Sequence, residues 1–147
     1  MRKLFGFVLV LGVVVAIVAI GTGAASQRST VHQVKVPGED RFTPFALTIS
    51  SGDVVQWKNN DSDDHTIVSD DAFNTTGPKG LDQLLPSGGT FSLRFKQPGT
   101  FVFYCRFHAH LDEVNQPVAP GPDGGIQDQN GNFGTPMSGV ITVLPSD

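Results

Sequence analysis

A single cysteine, Cys105, occurs in the 147 residues, so an internal disulfide is excluded. In an exported chain such a thiol stays free, ligates a metal or bridges to another molecule. Basic residues are scarce too: ten Lys and Arg stand against 14 Asp and Glu, for a formal charge of −4. Setting aside Arg2 and Lys3 with the leader described below leaves 8 basic against 14 acidic residues, or −6. That acidic balance excludes the electrostatic footprint of a nucleic-acid binder. After the leader no stretch combines helical periodicity with caps, and no internal repeat is found. No Ser-His-Asp or paired-carboxylate arrangement is identifiable either, which weighs against an enzyme. The stretches Asp61-Ser-Asp63-Asp64 and Asp128-Gln-Asn130-Gly-Asn132 lack the glycine and glutamate that a calcium loop requires at its sixth and twelfth positions. They read as solvated surface turns.

What is present begins with Met1-Arg2-Lys3, an apolar run of 17 residues from Leu4 to Ile20, and the small residues Gly21 to Ser26. This is the pattern of an export signal. The run is longer than the usual signal core and shorter than the roughly 20 residues that span a bilayer. Residues 1–26 are therefore expected to form a cleaved signal peptide or a retained membrane anchor, with cleavage near Ala24 or Ala25. No cysteine follows the run, which excludes lipidation there. The protein is expected outside the cytoplasm, whether periplasmic, at the cell surface or secreted, as a monomer. The remaining 117 or so residues suffice for one domain, 31–147, and not for two.

That domain reads as all-β. Val31, Val34 and Val36 lead into a Pro37-Gly38 turn, and Phe45, Leu47 and Ile49 alternate with Ala46 and Thr48 before Ser51-Gly52. Val55 and Trp57 share a face, and Phe91, Leu93 and Phe95 alternate with Ser92, Arg94 and Lys96. Phe101 to Cys105 is apolar on both faces, as a central strand would be, and Val140 to Leu144 supplies a last strand. About seven to eight such strands bury their apolar faces most simply as a two-sheet sandwich.

The chemistry gathers around Cys105. It ends the run Phe101-Val-Phe-Tyr-Cys105 on the same face as Phe101 and Phe103, so a soft ligand comes from a stiff element. His108 follows three residues later and His110 five, while Met137 is the only methionine besides the initiator. Upstream, His65 stands where the polar loop Asn59 to Asp64 meets the apolar Ile67 and Val68. One thiolate, imidazoles and one thioether match a trigonal His, His, Cys copper site with a weak axial Met. Binding would require the thiolate form of Cys105, and Thr66 and Asn60 are candidates for the outer shell. The blander readings are a small buried cysteine, a solvated loop histidine and a core methionine. The rival chemistry is a zinc or non-blue copper site built from His65, His108 and His110. His32 has no ligand-like neighbour and is expected to be structural.

Several segments in order carry a family resemblance: Phe45-Ala-Leu-Thr-Ile-Ser-Ser-Gly52-Asp53-Val-Val-Gln-Trp57, His65-Thr-Ile, Leu85-Pro-Ser-Gly-Gly-Thr-Phe91, Pro98-Gly99-Thr-Phe-Val-Phe-Tyr-Cys105 and Met137-Ser-Gly139-Val-Ile-Thr-Val. Together they resemble the cupredoxins, the small blue copper proteins of the plastocyanin and amicyanin group, across nearly all of residues 31–147. The resemblance implies a Greek-key β-sandwich with one copper near one end, bound by His65, Cys105, His108 and Met137. It further implies one-electron transfer between redox partner proteins; a copper-delivery module is the alternative. Two departures stand out. Phe107 occupies the place of the proline usual before the second histidine, which keeps His110 open as the ligand. Between His108 and Met137 lie 28 residues, rich in Pro and Gly, that read as an irregular surface loop facing the partner. Stretching that closure from about four residues to this length costs only about 1.7 kcal/mol, so Met137 remains available.

Overall fold

The computed structural model describes residues 28–121, 125, 126 and 134–146. The expected signal or anchor helix, residues 1–26, lies outside the described residues. No helix among those described is long and apolar enough to cross a membrane. Ten strands form among the described residues: β1 Val31–Val36, β2 Ala46–Ser50, β3 Val54–Asn59, β4 His65–Val68, β5 Asp82–Leu85, β6 Thr90–Arg94, β7 Gly99–Tyr104, β8 His110–Leu111, β9 Pro117–Val118 and β10 Ser138–Leu144. One sheet has the order β1-β3-β6 and the other β2-β10-β7-β4-β5, with β8 and β9 paired as a small hairpin. The chain changes sheet five times, at β1–β2, β2–β3, β3–β4, β5–β6 and β6–β7, giving the Greek-key sandwich. β1 runs parallel to β3 and β2 parallel to β10, while the other pairings are antiparallel.

Two-residue alternation decides which side chains meet between the sheets. From β3 come Val55 and Trp57, from β7 Phe101 and Phe103, and from β10 Ile141 and Val143, all buried. Trp57 and Phe103 meet edge to face at 5.3 Å and 86°, and Phe42 closes on Phe103 at 4.8 Å and 65°. Each such aromatic pair adds about 0.5–1.5 kcal/mol beyond the area it buries. In β4, His65, Thr66 and Ile67 are all buried, because this short strand lies between β5 and β7 with its beginning at one pole of the sandwich.

Three local expectations change. Phe45 is 61% exposed, since β2 starts one residue later and only Leu47 and Ile49 turn inward. Asp82–Leu85, too polar to announce a strand, becomes one by pairing with β4 through His65↔Leu85 and Thr66↔Leu84. The loop after His108, read as irregular, opens with the β8–β9 hairpin, closed by the Asp112 carboxylate accepting the Val114 and Gln116 amides at 2.9 and 2.8 Å.

Candidate metal centre

The pole where β4 begins and β7 ends gathers three donors. These strands are antiparallel neighbours, so His65 at the start of β4 and Cys105 just beyond β7 come together. After Cys105 the chain turns at once: the His108 amide donates to the Cys105 carbonyl at 3.1 Å, which swings the His108 ring back over the sulfur. Sγ of Cys105 stands 3.8 Å from Nδ1 of His65 and 3.6 Å from Nδ1 of His108. Met137 is pinned to the same turn by its backbone. The Cys105 amide donates to its carbonyl at 2.9 Å and its own amide to the His108 carbonyl at 3.2 Å. Its side chain is fully buried.

Those spacings suit one shared ion. With a sulfur at about 2.3 Å and a nitrogen at about 2.05 Å from a metal, a trigonal angle separates the two donors by about 3.8 Å. The thiol itself is prepared for ligation. Burial pushes the Cys105 thiol up, but His65, the Thr66 amide at 3.3 Å, the Phe107 amide and the Thr66 hydroxyl together bring it down to about 6. The thiolate form, the one that binds metals, thus dominates at neutral pH. Burial works against a charge on His65, yet its contacts with Cys105 and Asp61 outweigh that and raise its affinity for a proton.

The loop before β4 is braced by Asn59, which is buried. Its side chain donates to the carbonyls of Asp63 at 2.8 Å and Leu85 at 3.1 Å and accepts from the Asp61 amide at 2.9 Å. Of the outer-shell candidates, Thr66 touches the sulfur through its amide and, at 3.7 Å, its hydroxyl. Asn60 does not: it is exposed, and its amide bonds the Val36 carbonyl. Asn59 fills the supporting part instead.

His110 is not among the donors gathered here. It is exposed and pairs with Val118 in the hairpin, which leaves the zinc-like triad of His65, His108 and His110 without a common centre. His32 bonds Asp53 at 2.9 Å, far along the strand from the site, as a structural histidine would. Two residues went unnoticed in the sequence. Asp61, counted among solvated acids, meets Nε2 of His65 at 3.1 Å, and Asp40 from the β1–β2 loop stands 3.4 Å from Nε2 of His108. The four-residue offset from Asp61 to His65 offered a local hint; nothing in the sequence linked Asp40 to His108.

The family model for the cupredoxin-like domain matches residues 9–113, well over half of the chain. The chain belongs to the cupredoxin family. Plastocyanin of Prochlorothrix hollandica is 31% identical over 115 residues, covering 74% of this cupredoxin and 86% of that protein. Plastocyanin of Nostoc punctiforme is 34% identical over 122 residues, with the same coverage of 74% and 86%. Against the chloroplastic plastocyanin of Oryza sativa subsp. indica, 36% identical over 83 residues, the match spans about half of each protein, 51% and 52%. Among solved structures, a copper(I) form of an amicyanin variant superposes with TM-score 0.52 at 17% identity over 78% of this chain and 82% of that one. The copper-containing nitrite reductase of Thermus scotoductus gives TM-score 0.52 at 22% identity, covering 88% of this chain and only 25% of its own. Both likenesses concern the fold.

Proposed function

We propose that this cupredoxin holds one type 1 copper through His65, Cys105, His108 and Met137 and carries single electrons between redox partner proteins outside the cytoplasm. The observation that carries the reading is the convergence of one low-pKa thiol with two imidazole Nδ1 atoms at 3.6 and 3.8 Å, beside a buried methionine. A trigonal His, His, Cys set with a weak axial thioether is the donor set of blue copper. Bound copper supplies a couple between cupric and cuprous states that exchanges one electron.

The residues would serve that couple by staying still. Cys105 and Met137 are tied by a backbone hydrogen bond at 2.9 Å, and His108 is tied to both by bonds at 3.1 and 3.2 Å. His65 is fully buried at the head of a paired strand. Ligands fixed in this way hold the same positions in both oxidation states. The Thr66 amide and hydroxyl donate toward the sulfur, withdrawing charge from it and so tuning the potential. Solvent is kept from the thiolate, since Cys105 is itself fully buried.

The domain is taken as residues 31–147, and residues 1–26 as the leader that exports or anchors it. The plastocyanin relatives support an electron carrier over an enzyme, since the nitrite reductase is matched over only a quarter of its length. Adding cupric ion to the purified chain should give an intense blue band from thiolate-to-copper charge transfer, and Cys105→Ser should abolish it. A stable but pale wild-type complex would overturn the proposal in favour of a non-blue site.

A further inference from the structure

Behind each imidazole of the centre stands a carboxylate. Nε2 of His65 is 3.1 Å from Oδ2 of Asp61, whose side chain is only 12% exposed, and Nε2 of His108 is 3.4 Å from Oδ1 of Asp40. The two acids come from different loops, Asp61 between β3 and β4 and Asp40 between β1 and β2. Asp40 reaches its place with φ at 46°, in the left-handed region that residues other than glycine seldom enter. Asp40, Asp61 and His65 bring their donor atoms within 4.8 Å of one another. The loop after β1 is thus folded down over the site.

We propose that Asp61 and Asp40 are positioning residues of the copper centre: they orient the imidazoles with Nδ1 toward Cys105 and hold two negative charges that favour the cupric state. The inference rests on the copper reading above. An ionised carboxylate only accepts hydrogen bonds, and a neutral imidazole has one N–H to give. For His65 an acceptor at Nε2 therefore places the proton there and leaves the Nδ1 lone pair facing the sulfur at 3.8 Å; for His108, whose Nδ1 lies 3.6 Å from the sulfur, the Asp40 charge beside Nε2 favours the same tautomer. His65 is held by a part-buried hydrogen bond, and His108 has a carboxylate charge beside it at the rim. Cupric copper carries one more positive charge than cuprous, so fixed anions one ring away stabilise the oxidised form more.

The test compares the copper-loaded full chain with Asp61→Asn, Asp61→Ala and Asp40→Asn. Cupric affinity is measured by competition with a chelator, and reduction potential by redox titration. Asp61→Asn keeps an acceptor but removes the charge, so the blue band should persist while the ratio of cupric to cuprous affinity falls at least tenfold, a rise of about 59 mV. Asp61→Ala removes the acceptor as well and should weaken cupric binding by about 10- to 100-fold. Asp40→Asn, on a surface loop and harmless to folding, should lower the ratio at least threefold, and it decides alone if the Asp61 variants do not fold. Blue variants with the wild-type potential and affinity would overturn the positioning role while leaving the copper reading intact. A wild-type chain without a blue band would overturn both.

Discussion

Cys105 is fully buried, and burial by itself makes a thiol harder to ionise. Its neighbours reverse that by aiming the Thr66 and Phe107 amides and the His65 ring at the sulfur, so the thiol falls to about 6. The same turn chooses between two histidines. His108 bonds back to Cys105 and presents Nδ1 to the sulfur, whereas His110 is already committed to the hairpin. Titrated with copper, His108→Ala should lose the blue band and His110→Ala should keep it; the reverse pattern would assign the longer spacing. Met137 tests the weaker ligand. Replacing it with Leu should leave copper bound and raise the reduction potential, because the axial sulfur that favours the cupric state is gone. An unchanged potential and spectrum would make Met137 a core residue only.

At the scale of the strand, β7 and β10 join core to site. Gly139 in β10 faces Phe103 so closely that a Cβ would lie 2.6 Å from its ring and 3.1 Å from the Phe45 carbonyl. The glycine answers to packing between Met137 and the aromatic cluster, not to a turn. Gly139→Ala should therefore destabilise the domain by about 1–3 kcal/mol through overpacking, read as a lower urea midpoint with an unchanged slope. An unaltered midpoint would mean that Phe103 yields at little cost. The strong strands were legible from their apolar residues: Val55 and Trp57 share a face, Phe91 and Leu93 alternate with Ser92 and Arg94, and Phe101 to Cys105 is an unbroken apolar run. β5 was not, since Asp82-Gln83-Leu84-Leu85 carries little apolar alternation and is extended by its partner β4. The β8–β9 hairpin was hidden for a similar reason. Its strands are two residues long, and its turn is closed by the Asp112 side chain, not by an Asn-Gly or Gly-Gly pair.

Across the whole molecule, ligand types and their order were readable, whereas the supporting acids were not. A thiol, two imidazoles and a thioether are rare in this composition and announce themselves; an aspartate is common, and Asp40 becomes relevant only when the β1–β2 loop folds onto His108. Asp53 is a second acid of this tertiary kind, at another place in the sandwich. Its carboxylate accepts the amides of Thr30 at 2.8 Å and Ser50 at 3.1 Å and pairs with His32 at 2.9 Å, tying β1 and the end of β2 to the start of β3. The Thr30 amide foremost, with His32 and the Ser50 amide, outweighs burial and holds this carboxyl below the usual carboxylate range. Because the folded value lies below the unfolded one, near about 3.9, the ionised group stabilises the fold above that pH. The contribution fades as pH falls from there through the folded value. Asp53→Asn should cost on the order of 1 kcal/mol at pH 7, and the difference from wild type in urea midpoint should narrow steadily below about pH 4. A difference as large at pH 3 as at pH 7 would show that shape, and not charge, is what Asp53 contributes at this junction of the two sheets.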